Sequence, residues 1–203
     1  MAYYGPVPAS PTVLRRAIQS IALRQAGYFS ANQALVVGYS YQAQKHHVDH
    51  GNWCRVGRGI FRLPDWPDGP SDAYVHWWLW SGGRAVVSHE TALTVHDLGD
   101  VNPALVHLTV PPGFRARHRD VCLHFAVIPA ADTEASEGYR ITTVERTLFD
   151  VAAGETTQEQ LDVAVSDALS RGLISPRRLR HRSDEFGDRA ALRIERAIAA
   201  VAT

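Results

Sequence analysis

Lysine is nearly missing from this chain. Of its 21 basic residues only Lys45 is a lysine; the rest are arginine. A restriction-type nuclease core commonly needs two acids and a downstream lysine to activate water beside a metal ion. With Lys45 in the N-terminal third, no such core is expected in the remainder. Cysteine is equally scarce. Cys54 and Cys122 lie far apart with no C-x-x-C, which argues against a zinc-finger framework and for a reducing compartment, a single disulfide staying open as an alternative. No apolar run reaches the roughly 18 residues of a membrane span. The start, Met1 to Pro6, has neither the basic nor the apolar region of a signal peptide. A cytoplasmic protein with no membrane partner is therefore expected. P-loop, G-x-G-x-x-G and G-x-S-x-G patterns are all absent, so no nucleotide cofactor and no hydrolase elbow are expected. Ser88-His89-Glu90 holds the letters of a nucleophile and a base, but successive helical residues diverge by about 100°. Ser88 reads as a helix cap instead.

What is present is unevenly spread. The chain is neutral overall, yet residues 1–63 carry Arg15, Arg16, Arg24, Lys45, Arg55, Arg58 and Arg62 against Asp49 alone, a net +6. Residues 64–150 hold six arginines and twelve acids, and residues 151–203 hold eight of each. A basic third of this size is the footprint expected of phosphate binding.

The same third has a recognisable rhythm. Ser10-Pro11 opens a helix whose apolar positions Val13, Leu14, Ala17, Ile18, Ile21 and Ala22 recur at helical spacing towards Gly27. Tyr28-Phe29 is an extended link. Ser30 and Ser40 are N-cap candidates, and Gly27, Gly38 and Gly51 stand where helices would end. Two short runs rich in aromatic and β-branched residues, Trp53 to Val56 and Ile60 to Leu63, flank the turn Gly57-Arg58-Gly59. Helix, turn, helix and hairpin make a winged helix-turn-helix, which presents one helix to a DNA major groove and a wing to the backbone beside it. With Val48 inward, and Gln44 and His47 one turn earlier on the same side, the third helix leaves Tyr41, Gln42, Lys45, His46 and Asp49 outside. Glutamine can read adenine, and lysine guanine or phosphate. The expected DNA-binding set is Ser40, Tyr41, Gln42, Lys45, His46, Arg55, Arg58 and Arg62. His46 and His50, with His47 and Cys54 nearby, also suggest metal ligands, but no acid or cysteine stands at a recognised spacing, and no metal is expected.

Pro64 to Pro70 is turn-rich and is read as a linker between a DNA-binding domain, 1–63, and an α/β domain, 71–203. The fold class is α+β. In the second part, Thr142 with Glu145 and Thr156 with Glu159 have capping-box spacing. Arg146 and Asp150 are i, i+4 partners, best read as a structural ion pair. Arg177, Arg178, Arg180 and Arg182 crowd one short helix, and Arg189, Arg193 and Arg196 share one face of the last. Those three are the candidate partner-binding residues, a solvated face being the alternative.

Four stretches in order carry a resemblance: Gly38-Tyr39-Ser40 leading to His47-Val48 and Gly51; Arg55 to Arg62; Val87 to Leu93 with His96-Asp97-Leu98; and Ile141 to Asp150. Together they resemble the AbiEi-type antitoxins of abortive-infection toxin–antitoxin systems, over about Gly27 to Ala152. The resemblance implies a winged-helix DNA-binding domain followed by a mixed α/β antitoxin domain, and no enzyme. It implies repression of the protein's own operon through inverted repeats and neutralisation of a nucleotidyltransferase-like toxin, often without a stable complex. By position it puts Ser40, Tyr41, Gln42 and Lys45 on the recognition helix and Arg55 and Arg58 on the wing. Gln44 and His47 depart from it, standing where relatives place apolar residues. Two alternatives stay open: a relative of a nuclease-fused group with residual nuclease activity, and a protein-binding antitoxin with a vestigial DNA-binding domain.

Overall fold

The computed structural model describes residues 10–201 and is of mixed α and β structure. The expected arm at residues 1–9 lies outside the described residues. The chain forms two compact units: residues 1–83 with 137–139, and residues 84–136 with 140–203. The division falls at Gly83, and residues 64–70 lie inside the first unit.

The first unit opens with α1 (Pro11–Leu23), which stops short of Gly27 because Ala26 and Gly27 turn left-handed, at φ 47° and 82°. A Cβ on Gly27 would stand 2.4 Å from the Trp66 ring, so glycine is required there for space as well as for φ. Tyr28-Phe29 is more than a link. It belongs to β1 (Tyr28–Ser30), which pairs antiparallel with β3 (Ile60–Arg62), itself paired with β2 (Cys54–Gly57). Between β1 and β2 come α2 (Ala31–Val37) and α3 (Tyr41–Asp49). Ser30 caps α2 in a reciprocal box, its hydroxyl accepting from the Gln33 N–H and the Gln33 side chain accepting from its own N–H. Ser40 caps α3 by accepting from the Ala43 N–H. Ile18, Ala22, Phe29, Ala34, Tyr39, Trp53 and Phe61 form the core, with Phe29 edge-on to Trp53 at 4.8 Å. The two departures from apolar character are absorbed. Gln44 is buried and its Nε2 donates to the carbonyls of Ala31 and Tyr39, tying α3 to the start of α2. The His47 ring stacks on Trp53 at 4.7 Å. The unit continues through α4 (Asp72–Trp80).

The second unit is built on a five-stranded mixed sheet in the order β6-β5-β4-β8-β7. Its strands are β4 (Val86–Val87), β5 (Val106–Val110), β6 (Val121–Phe125), β7 (Thr133–Ala135) and β8 (Arg140–Thr142). β5 runs parallel to β6 with His107 opposite Cys122 and Thr109 opposite His124. The helices are α5 (His89–His96), α6 (Val144–Ala153), α7 (Gln158–Ser170), α8 (Pro176–Arg182) and α9 (Asp188–Val201). Leu93, Leu148, Phe149, Val151, Leu161, Val165, Leu179 and Ile194 make its core. Truncating one of these to alanine typically costs about 2–5 kcal/mol. The buried face of α9 is Ala190, Ile194, Ala197 and Ile198, and Val201 is exposed.

Two expected caps are placed one residue later, and a third stands in place without its bond. Thr143, not Thr142, caps α6 by accepting from the Arg146 N–H. Thr157, not Thr156, caps α7, in a box with Gln160. Ser88 makes no cap bond at α5. In each case the hydroxyl expected at the cap is used inside the unit.

Candidate nucleic-acid interface and a histidine cluster

In the first unit, Tyr41, Gln42, Lys45 and His46 all stand exposed on α3, since burying Gln44 and half-burying His47 and Val48 turns the other face inward. Lys45 makes an exposed ion pair with Asp49 one turn on, worth a few tenths of a kcal/mol. The Ser40 side chain is spent on its cap, which leaves its position at the helix start as its contribution. Arg58 sits exposed at the hairpin tip between Gly57 and Gly59, and Arg55 lies exposed on β2 over the Phe61 ring at 5.4 Å.

Arg62 departs from the expected set. Its side chain is only 14% exposed, and its guanidinium donates to Asp68 at 2.6 Å, to Asp72 at 2.8 Å and to the Pro67 carbonyl. It also covers the Tyr28 ring. Two carboxylates already neutralise it, so it is a structural anchor within the unit. Nothing in its local sequence gives this away, because Asp68 lies within the turn-rich stretch and Asp72 beyond it.

Several arginines of the second unit are likewise spoken for. Arg178 holds Glu145 through two bonds of 3.1 Å. Arg182 bridges Asp132 at 2.8 Å, Glu145 at 3.1 Å and Glu185 at 2.8 Å. Arg180 pairs with Glu195. Of the partner-binding candidates, Arg193 is half-buried and donates to the carbonyls of Ala152, Gly154 and Thr156. Arg189 donates to the Gly154 carbonyl but stays exposed, and Arg196 is exposed. The three therefore do not make one free face, as Arg193 closes the end of α6 instead.

The Arg146–Asp150 pair forms as expected, at 2.8 Å, with Arg146 also reaching Asp132 at 3.4 Å. Asp150 is buried and its second oxygen has no hydrogen-bond partner. Burial outweighs the Arg146 charge and pushes its carboxyl up to about 6. Asp132 goes the other way. Burial would raise it, but hydrogen bonds from Arg182 and Arg146 hold it below the usual range.

Close to this network lies a group of histidines. Cys122 and His124 alternate on β6 and so point to one face; His107 on β5 shares that face opposite Cys122. Nδ1 of His107 stands 3.1 Å from Nε2 of His124, which lies 3.8 Å from the Cys122 sulfur. The His89 ring stacks on His124 at 3.4 Å, with its backbone left-handed at φ 52°. Such a conformation in a residue with a Cβ is uncommon outside turns and sites. Thr109 donates to the Ser88 hydroxyl, 3.0 Å from the His89 ring, so Ser88 serves this cluster. Glu90 completes it: one oxygen accepts from Thr156, and Oε2 lies 2.8 Å from Nδ1 of His107 with no aligned hydrogen bond. Burial, helped by His124, pushes His89 down to about 3, and burial with His107 holds His124 at about 4. For Glu90 burial acts upward, but its contacts with His107 and Thr156 prevail and keep it ionised. Among the described residues, the His and Cys ligand atoms that converge are those of His107, Cys122 and His124; His46, His50 and Cys54 do not form such a group.

Residues 85–198 match the family model of the AbiEi antitoxin C-terminal domain. The chain belongs to that family. The AbiEi match starts within two residues of the second unit and spans its sheet and helices. Among solved structures, the chain is similar to the RV2827C protein from Mycobacterium tuberculosis, with a TM-score of 0.57 and 15% identity over 99% of this chain and 84% of that one. At that identity the likeness concerns the fold. No curated protein matches the chain. The AbiEi region thus contains the histidine cluster, which sequence reading passed over. The available signal was Cys122-x-His124 in a strand pattern, two ligand types on one face; the missing piece was the β5–β6 register that brings His107 beside them.

Proposed function

We propose that this protein is a DNA-binding antitoxin. Its N-terminal unit acts as a winged helix-turn-helix that represses its own operon, and its C-terminal unit neutralises a nucleotidyltransferase-like toxin. The observation that carries the DNA half is the exposed face of α3. Tyr41, Gln42, Lys45 and His46 project from one helix, and Arg55 and Arg58 lie free on the β2–β3 hairpin of the same unit. A helix for the groove and a cationic hairpin for the flanking phosphates is the docking arrangement of winged modules. The toxin half is supported by the family match, which falls in the second unit apart from residues 137–139. Exposed Arg189 and Arg196 are its candidate contacts with an anionic partner, and Arg193 is withdrawn from that set. The role is one of binding, with no catalytic step assigned.

A gel shift of the full chain on its own upstream DNA tests the reading. Gln42→Ala is expected to lose about 1–3 kcal/mol on the operator and little on random DNA, as for one bidentate base contact. Equal losses on both would make Gln42 a positioning residue, and no shift at all would overturn the DNA-binding proposal.

A further inference from the structure

We propose that His107, Cys122 and His124 form a zinc-type metal site in the second unit, with Glu90 beside its open fourth position. The inference is independent of the DNA-binding reading.

Geometry is the first support. Zinc bonds to imidazole nitrogen at about 2.0–2.1 Å and to thiolate sulfur at about 2.3 Å. A tetrahedron with those bonds has nitrogen–nitrogen edges of about 3.3 Å and nitrogen–sulfur edges of about 3.6 Å. The separations here are 3.1 Å between the imidazole nitrogens and 3.8 Å between nitrogen and sulfur, and all three ligand atoms lie within 4.8 Å of one another. The ligands come from adjacent paired strands, which fix their spacing more firmly than a loop would.

Hydrogen accounting is the second. A neutral imidazole carries one N–H and one lone pair. Nδ1 of His107 faces two groups at once, Nε2 of His124 at 3.1 Å and Oε2 of Glu90 at 2.8 Å. If Nδ1 carries the hydrogen and gives it to Glu90, the lone pair of His124 Nε2 is left to the weak Cys122 thiol donor at 3.8 Å. If His124 carries it, the lone pair of Nδ1 is turned on a carboxylate oxygen. Oε2 of Glu90 is buried with no aligned hydrogen bond to that ring. A cation at the centre takes the lone pairs of both imidazoles and the sulfur, and gives the carboxylate a positive charge to face.

The donor set narrows the ion. Two imidazoles and a thiolate suit zinc or copper and do not suit magnesium or calcium, which require oxygen. Three protein ligands leave one position open for water or for a group from outside. Glu90 stands 2.8 Å from the His107 nitrogen, held by Thr156 and carried on α5 one residue after the left-handed His89. The competing arrangement is a metal-free stack of neutral histidines, consistent with the ring contact between His89 and His124.

The test uses the full chain, stripped with a chelator and dialysed against zinc alone, against magnesium alone, and against cobalt(II) as a spectroscopic stand-in. The expected result is about one zinc per chain, no retained magnesium, and a thiolate-to-cobalt charge-transfer band. Cys122→Ser should abolish the band, and His107→Ala with His124→Ala should weaken zinc binding by more than about 100-fold; Glu90→Gln, acting from beside the metal, should weaken it about tenfold. Cys54→Ser and the pair His46→Ala with His50→Ala should change neither. Circular dichroism matching the parent keeps the variants interpretable; where a variant fails to fold, the band in the parent and its survival in Cys54→Ser decide the matter. A parent chain that binds no zinc and gives no band would overturn the proposal. So would undiminished zinc in the His107/His124 variant, or a band lost with Cys54.

Discussion

The two ends of the chain carry similar numbers of basic residues and use them in opposite ways. Around α3 and the hairpin, Lys45, Arg55 and Arg58 are exposed, and Asp49 is the one acid in the first 63 residues. Around α8 and α9, Arg178, Arg180, Arg182 and Arg193 are tied to carboxylates or to backbone carbonyls. The count of charges is therefore a poor guide to the charge offered to a partner. Where acids are scarce, arginine remains free and can neutralise phosphate. Where they are plentiful, arginine is absorbed as a strut that ties helices and turns to one another.

That contrast breaks most visibly at Arg182. It sits between Asp132 and Glu145, whose side chains are 4% and 5% exposed. Arg182→Ala leaves two buried carboxylates short of their counter-charge and is expected to cost about 3–5 kcal/mol in urea unfolding. Arg177→Ala, at an exposed position of the same helix, should stay within about 0.5 kcal/mol. Equal effects would mean that the struts are no more than surface decoration.

Asp150 gives the next effect, in pH rather than in mutation. Its carboxyl is raised from 3.8 to about 6, so the folded state holds the proton more tightly than the unfolded state does. Its favourable contribution is fully present below about pH 4 and is lost as pH rises through about 6. Relative to Asp150→Asn, the parent chain should lose on the order of 2–3 kcal/mol of stability between about pH 4 and pH 7. Asp132 works in the opposite sense, adding stability above its usual pKa that is lost on acidification. A difference between parent and Asp150→Asn that is flat with pH would show that Arg146 fully compensates the buried charge.

A smaller effect separates Arg193 from Arg196 on one helix. Arg193→Ala removes donors from carbonyls at the end of α6 and should cost about 1–3 kcal/mol. Arg196→Ala should cost within about 0.5 kcal/mol. Thermal melts of the two variants side by side would sharpen the distinction, and a reversed order would refute it.

Local chemistry was legible in the sequence and long-range partnership was not. The stops at Gly38 and Gly51 and the caps Ser30 and Ser40 follow from short-range rules and stand where those rules put them. The slips at Thr142 and Thr156 are instructive because both precede a second threonine. Either hydroxyl of each pair suits a cap, and tertiary contacts choose: Thr142 meets Thr147 and the Val87 carbonyl, and Thr156 donates to Glu90, leaving Thr143 and Thr157 to cap. Gln44 is a polar residue on an apolar face, and two backbone acceptors from elsewhere in the unit satisfy it. Arg62 and Arg193 looked free for the opposite reason, since their partners come from other elements. The histidine cluster escaped entirely, because a parallel strand register is what brings His107 beside Cys122 and His124.

The central claim is that the exposed cations of the first unit, and not the arginines tied up in the second, meet DNA phosphate. The direct measurement is the salt dependence of operator binding by the full chain. The slope of log K against log salt should shrink by about one unit for Lys45→Ala and about one for Arg58→Ala, and stay unchanged for Arg180→Ala. Unchanged slopes in the first two variants, or a reduced slope in the third, would contradict the account.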